Sequence, residues 1–432
     1  MHSKFFLVGA VMLYAHALPG FAQTTPLPSD QTPVSFSVVT ATSPLTLDEA
    51  VQKGLSASPR MRAAALDIAV AEAQRLQAGL LRNPEASFVR EGTQRGTRTE
   101  TIQFSQVIEL GGKRKARIDL AERERSLAAG SLNVVRNDLR AEIAAAFFDA
   151  LSAQQRIEIA EATVDVAGKA SLAAERRIAA GRVSPVEEDR SGVALATARL
   201  ELSQARAELS IALLTLAAYW GETAPVARNL VPPDLDTVAI APLTEIQQRL
   251  DSTAQLQRAR LQVEREEAQV SLDRAQRTPD VTLIVGRKKD EELGRSQTVL
   301  GVSLPLPLFN RNQGNLRAAL SRAEKARAEL EAERLRQNQL LISAYQRSQL
   351  HRDQLRVMRE DILPRAQRVF DATVKGFEAG KFSFLDILDA QRTLLQIRTQ
   401  YTQAQLERYR AATDLGKFAP PAGTNSNTRK IP

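Results

Sequence analysis

The chain has 432 residues, 58 Lys+Arg against 50 Asp+Glu for a net charge of +8, three His, no Cys and 5% aromatic residues. Its 43% apolar content suffices for folded structure, while the missing cysteine excludes disulfides, thiolate metal sites and cysteine nucleophiles. No stretch fits GxGxxG, the phosphate loop GxxxxGK[ST] or HExxH, so the common nucleotide-dependent and zinc-dependent enzyme classes lose their signatures.

At the N-terminus, Lys4 precedes an apolar run from Phe5 to Ala15, and Gly20 and Ala22 supply small residues after it. This layout predicts a signal peptide over 1–22, cleaved after Ala22, because 11 apolar residues are too few to cross a bilayer. Its removal takes away one Lys and no acid and leaves +7. Export and the interleaving of Arg with Glu argue against nucleic acid as a partner. Residues 23–44 are Thr/Pro/Ser-rich and read as irregular.

Beyond residue 44 the chain is written twice. Asn83-Pro84-Glu85 matches Thr278-Pro279-Asp280 at an offset of 195, the run ending Ala146-Phe147 matches Ala344-Tyr345 at 198, and Ala180-Gly181-Arg182-Val183-Ser184 meets Ala379-Gly380-Lys381-Phe382-Ser383 at 199. Two repeats, 45–220 and 243–417, therefore share one architecture, joined by a Pro-rich linker over 221–242 and followed by a flexible tail over 418–432.

Each repeat reads in the same order. An Ala/Leu/Gln/Arg/Glu-rich helix, 45–80 or 243–277, stops before Pro84 or Pro279. A strand pair follows, about 84–108 and about 279–305, with Gly-containing loops at Gly92–Gly96 and Arg287–Arg295. The alternation of Ile102 and Phe104 with Thr101, Gln103 and Ser105, and of Leu300, Val302 and Leu304 with Val299, Gly301 and Ser303, has the period of a half-exposed strand. Next come the long helices, 113–180 and 315–379, each about 100 Å at 1.5 Å per residue, with a kink expected at Pro364. Their apolar residues are too small for a globular core and predict Ala-rich coiled-coil packing. Gly181 and Gly380 end them, and helices over 185–220 and 384–417 return antiparallel, with Ser184-Pro185-Val186-Glu187 and Ser383-Phe384-Leu385-Asp386 as their caps.

No window holds the apolar run of a transmembrane helix, so entry into a membrane requires strands. Four strands cannot close a barrel. Two chains would give eight strands around a filled interior, whereas three would give twelve and a lumen.

Gln106-Val107-Ile108-Glu109-Leu110-Gly111-Gly112-Lys113-Arg114, its counterpart Pro305-Leu306-Pro307-Leu308-Phe309-Asn310-Arg311-Asn312 and the two Ala-Gly hairpin tips together resemble the TolC family of outer-membrane efflux ducts. Within it they are most similar to the outer-membrane component of cobalt-zinc-cadmium type heavy-metal efflux systems. The resemblance implies a mainly α chain with a small β part, forming a homotrimer whose twelve-stranded barrel lies in outer-membrane lipid and continues as a periplasmic α-helical barrel. It also implies a periplasmic adaptor and a proton-driven inner-membrane pump as partners. The residues themselves, with no nucleophile–base or ligand set, predict no enzymatic activity and no cofactor or bound metal. The cargo it implies is divalent metal, with organic compounds as the alternative; a periplasmic coiled-coil scaffold is the reading from another class.

By the same resemblance, Asp386 and Asp389 ring the periplasmic aperture and favour cations, with Glu187 at the matching place in the first hairpin. Asp386 and Glu187 also suit a helix cap, which is the competing expectation for both. Gly181, Arg182, Gly380, Lys381 and Phe382 form the tips that meet the adaptor, and Phe382 and Phe384 either plug the aperture or pack against neighbours. His351, with basic neighbours, reads as a solvated helix residue, and Trp220 as a packing anchor.

Overall fold

The computed structural model describes residues 44–92, 94, 96–179, 185–223, 229–234, 241–379 and 381–418. The signal segment and Gly181, Arg182 and Gly380 lie outside the described residues.

The first repeat opens with α1 (Leu47–Ala57) and α2 (Pro59–Gly79). The one helix expected over 45–80 is thus two. Pro59 sits at the first position of α2, and Ser58 before it is extended (φ −63°, ψ 127°), as a pre-proline residue prefers. The second repeat divides in the same place, into α5 (Leu243–Gln248), a 3₁₀ turn (Leu250–Ser252) and α6 (Ala254–Ala275), with Thr253 extended at the break. Ser58 and Thr253 are both buried and stand 195 residues apart, the repeat offset itself.

Strands β1 (Glu85–Glu91), β2 (Thr99–Ile108), β3 (Val281–Asp290) and β4 (Arg295–Ser303) form one antiparallel sheet in sequential order. The loop expected over Arg287–Arg295 is shorter: β3 continues through Arg287, Lys288 and Lys289 to Asp290, which pair with β2 and β4. Charged residues remain in a strand where the sheet leaves apolar surroundings and the ladder satisfies the backbone.

From the sheet, α3 (Lys113–Ala179) runs 67 residues, and α4 (Pro185–Ala218) packs along it. Their seam is built of small residues seven apart: Ala146, Ala153, Ala160, Ala167 and Ala174 are buried on α3, and Ser191, Ala198 and Ala205 on α4. A buried position every seven residues keeps one stripe facing the partner helix, and alanine permits close approach.

The second long helix is interrupted. Helix α7 (Gln313–Val357) passes through a π turn (Met358–Ile362) into α8 (Leu363–Glu378), and α9 (Phe384–Gly416) returns. Pro364 has no N–H to give the carbonyl of Glu360. The chain meets that loss with a wider turn, in which the Leu363 amide donates to the Met358 carbonyl.

Larger side chains concentrate where the hairpins meet the shorter helices. Leu139, Ile143, Phe147 and Leu151 of α3 pack with Leu216, Trp220, Leu230 and Tyr409. Phe148 and Tyr409 stack at 4.3 Å, and Lys53 lies 4.8 Å over the Trp220 ring while pairing with Glu222. The linker is tied in through Gln154, which donates to the Leu230 carbonyl (3.2 Å) and accepts from its amide (2.9 Å). The second repeat has its own cluster around Leu256, Leu341, Ala344 and Leu415. Phe418, expected to begin the flexible tail, is buried in that cluster.

Candidate functional site

The sheet sorts its residues by face. Cross-strand partners place Ala86, Phe104, Val285 and Leu300 in one row, Gln106, Leu283 and Val302 in the next, and Ile108 beside Val281 in a third. Phe88 and Ile102 extend this apolar field toward the hairpin ends. It is also the more exposed face, with Leu300 78% accessible. The less exposed face carries Ser87, Thr101, Gln103, Ser105, Thr282, Gly286 and Ser303, with Val89, Val107, Ile284 and Val299 among them. A water-soluble sheet turns its apolar face inward. This one presents it outward, the pattern of a strand set bathed in lipid.

At the helical end of the sheet the apolar field continues through Leu80, Leu81, Leu306, Leu308 and Phe309, the last 92% exposed. Two corners turn the chain there from strand to helix. In the first, Gly111 (φ 70°) and Gly112 (φ 73°) take the left-handed conformation expected of them. A Cβ at Gly111 would lie 2.6 Å from Thr278, so the corner also needs glycine for space. In the second, Asn312 takes the corresponding conformation (φ 57°) immediately before α7. Its side-chain amide donates to the Asp273 carbonyl (2.9 Å) and to Gln276 Oε1 (3.2 Å).

Charged groups lock the first corner. The Glu109 carboxylate, only 6% exposed, accepts from both terminal nitrogens of Arg117 (2.7 and 3.1 Å), and Arg117 also donates to the carbonyls of Ala78 and Leu80. The Arg117 hydrogen bond holds the Glu109 carboxyl below its usual range against the opposing effect of burial. Asp280 Oδ1 accepts from Lys113 Nζ (2.6 Å) and the Leu110 amide (3.2 Å), tying the two repeats together. Glu109, Lys113 and Asp280 fall within motifs visible in the sequence, but sequence alone gives none of them, nor Arg117, a role in the site. The Pro-Asp and Glu-Leu-Gly-Gly corners were visible, but their pairing spans 170 residues.

At the far end of the helices, Ser383 and Asp386 form a full capping box. Asp386 Oδ2 accepts from the Ser383 amide and hydroxyl (both 2.7 Å), and the Ser383 oxygen accepts from the Asp386 amide (3.3 Å). The hydroxyl bond first and the amide bond second hold the Asp386 carboxyl below its usual range. Asp389 lies one turn further along the exposed side of α9, whose opposite side buries Ile387 and Leu394. Glu187 is half-buried in the first turn of α4. The amides of Lys381 (2.7 Å) and Phe382 (3.3 Å) both donate to the Gly376 carbonyl, closing the tip. The Phe382 ring folds back over Gly376 while remaining 47% exposed, and the side chain of Phe384 lies outside the described ones. Thus Asp386, Asp389, Lys381 and Phe382 share one tip, and Ala170 of α3 packs on Phe377 and Ile387 just behind it. His351 stands on α7 beside Gln354.

Among the described residues no helix is long and apolar enough to cross a membrane, and no group of three or more His, Cys, Asp or Glu side chains is placed to hold a metal ion. The molecule thus combines an outward-apolar sheet with long paired helices. The model of the family described as "Outer membrane efflux protein" matches residues 50–222 and 246–419, one segment for each repeat. The chain belongs to the outer membrane efflux protein family. As a member it is an outer-membrane protein, with its helical part in the periplasm.

Relatives of this efflux protein include the cobalt-zinc-cadmium resistance protein CzcC of Cupriavidus metallidurans, 39% identical over 379 residues, which cover 88% of this chain and 90% of CzcC. The nickel-cobalt-cadmium resistance protein NccC of Alcaligenes xylosoxydans xylosoxydans is 26% identical over 67% of each chain. Among solved structures, CusC superposes with a TM-score of 0.73 at 18% identity, over 86% of this chain and 91% of that one. The outer membrane protein VceC of Vibrio cholerae superposes with a TM-score of 0.70 at 20% identity, over 86% and 95%. The efflux protein thus has the fold of these two solved structures.

Proposed function

We propose that the protein is the exit duct of a tripartite efflux system that expels divalent heavy-metal cations such as cobalt, zinc, cadmium or nickel, and that it does so as a homotrimer without chemistry of its own. The observation that carries the duct reading is the sheet with its apolar face outward and its two edge strands, β1 and β4, each bonded on one side only. With all neighbours antiparallel, β4 of one copy runs opposite to β1 of the next, so three copies close a ring of twelve strands and satisfy every edge. The less exposed, more polar face then lines the lumen. The 39% identity to CzcC supports metal as the cargo.

In the trimer, Asp386 and Asp389 form two rings of three carboxylates at the periplasmic aperture, where focused negative potential admits cations and rejects anions. Glu187 adds a weaker contribution from the first hairpin. Lys381, Phe382 and the neighbouring Gly380, with Gly181 and Arg182 of the first tip, meet the periplasmic adaptor, which joins the duct to a proton-driven inner-membrane pump. Opening follows from outward movement of the tips when both engage.

The 27% identity to the pyoverdine export outer membrane protein OpmQ of Pseudomonas aeruginosa favours organic cargo as the second reading. A deletion strain grown in cobalt, zinc, cadmium and nickel, and in parallel in detergents and dyes, separates the two. Metal sensitivity of the deletion strain, with resistance restored by the plasmid-borne gene, is expected, and sensitivity to organics alone would reverse the choice.

A further inference from the structure

The outward face of the sheet ends, toward the hairpin turns, in two rows where charge enters the apolar field. Phe88, Ile102, Arg287 and Thr298 form the first, and Arg90, Glu100, Lys289 and Ser296 the second. Arg90 is committed: it donates to Glu100 (2.7 Å) and lies 5.7 Å over the Phe88 ring. Arg287 and Lys289 are exposed and make no ion pair among the described residues. On the opposite face at the same height, Lys288 and Arg295 are balanced by Glu91 and Asp290. The excess of positive charge therefore belongs to the outward face alone.

Its height has a meaning. Six residues separate Arg287 from Val281, about 20 Å along a strand, so the cations stand at the margin of the apolar field away from the helices. With the helices in the periplasm, that margin lies in the outer leaflet. Two uncommitted cations two residues apart on one strand face stand about 7 Å from each other, within reach of one phosphate group or of two oxygens spread across it. A zwitterionic headgroup, whose own cation offsets its phosphate, would gain less from such a pair.

We propose that Arg287 and Lys289 of each protomer bind the phosphate groups of lipid A, the phosphorylated glycolipid of the outer leaflet, with Phe88, Ile102, Val285 and Leu300 receiving its acyl chains below. This rests on the reading of the sheet as part of a lipid-facing barrel. The acyl chains supply non-specific affinity and the cations supply selection for the phosphorylated headgroup.

The full-length protein purified in detergent would be sized, then titrated with bisphosphorylated lipid A and with the same lipid dephosphorylated, reading bound lipid by native mass spectrometry. Wild type is expected to retain the bisphosphorylated form in preference to the dephosphorylated one. The double variant R287Q/K289Q should lose that preference, with affinity for the phosphorylated form lowered about tenfold or more. K288Q, which removes one cation from the opposite face of the same strand, should retain it. Equal binding of the two lipids by wild type, undiminished preference in R287Q/K289Q, or a correctly sized trimer that binds neither lipid would overturn the proposal. Failure of wild type to form a membrane-inserted trimer would instead overturn the barrel reading and this inference with it.

Discussion

The ring of Phe382 occupies the space in which a side chain at Gly376 would begin: a Cβ there would lie 2.1 Å from Phe382 Cδ2. The second hairpin tip is therefore a folded unit in which an aromatic ring caps the last turn of α8, not a loose loop. Gly376→Ala must push the ring away. Hydrogen exchange across 376–390 is expected to rise in Gly376→Ala and to be no faster in Gly376→Ala/Phe382→Ala than in Phe382→Ala alone, because the two residues act through one contact. Additive effects would show that the ring does not hold the tip.

Replacing Asp386 and Asp389 together with Ala is expected to lower cation selectivity severalfold in planar-bilayer recordings. An unchanged reversal potential in a salt gradient would reduce both acids to helix-terminal residues. Single variants separate them further, since Asp386→Asn also breaks the capping box whereas Asp389→Asn leaves it intact.

The pH dependence of that selectivity has a defined sign. Ser383 depresses the Asp386 carboxyl, so its negative charge persists below the ordinary carboxylate range and is lost only as pH falls through the lowered value. In Ser383→Ala the hydroxyl bonds vanish, and the Asp386 contribution should begin to disappear at a higher pH. Identical pH profiles for the two proteins would exclude Asp386 from the aperture field.

Glu109 gives a stability prediction with the same sign. Its folded-state value is depressed by Arg117, so its stabilising contribution is complete above the unfolded carboxyl's value and is lost as pH falls through the lowered one. Glu109→Gln should cost about 1–3 kcal/mol at neutral pH, as expected for weakening a buried charged hydrogen bond, and the gap from wild type should close in acid. Thermal unfolding of the purified protein at several pH values measures both.

At the corner, Gly111→Ala and Gly112→Ala share the penalty of a positive φ, about 1–2 kcal/mol. Only Gly111→Ala adds a clash with Thr278, since nothing lies within 4 Å of a Cβ at Gly112. Yield of membrane-inserted protein should thus fall further for Gly111→Ala. Asn312→Gly should be tolerated in backbone terms and suffer only from the lost bonds to Asp273 and Gln276.

The order of helix, strand pair, long helix and returning helix was legible because its signals are local: prolines at 84 and 279, alternation at 101–105, and Ala-rich runs without breakers. The breaks at Ser58 and Thr253 were not, since Pro59 is also acceptable near a helix start and Thr253 carries no breaker beside it. The strand through Arg287-Lys288-Lys289 reads as a loop because sequence patterns equate charge runs with turns. Only the sheet register shows that two of those residues share one face and the third the other. The Ser383–Asp386 cap was legible from its local spacing, whereas the Glu109–Arg117 and Lys113–Asp280 pairs depend on how a left-handed corner folds strand onto helix. No spacing rule encodes that.

The π turn at Met358–Ile362 explains a mismatch in the repeat. From Tyr345 to Gly380 the second copy uses 35 residues where the first uses 34 from Phe147 to Gly181. In an uninterrupted α-helix, one surplus residue would rotate every later side chain by about 100° and turn the tip's exposed acids toward its packed side. A single wide turn accommodates the surplus within one turn, so that Phe377 and Ile387 still meet Ala170. The turn thus works as a phase corrector: it lets the two halves of a duplicated chain drift in length while their ends stay in step.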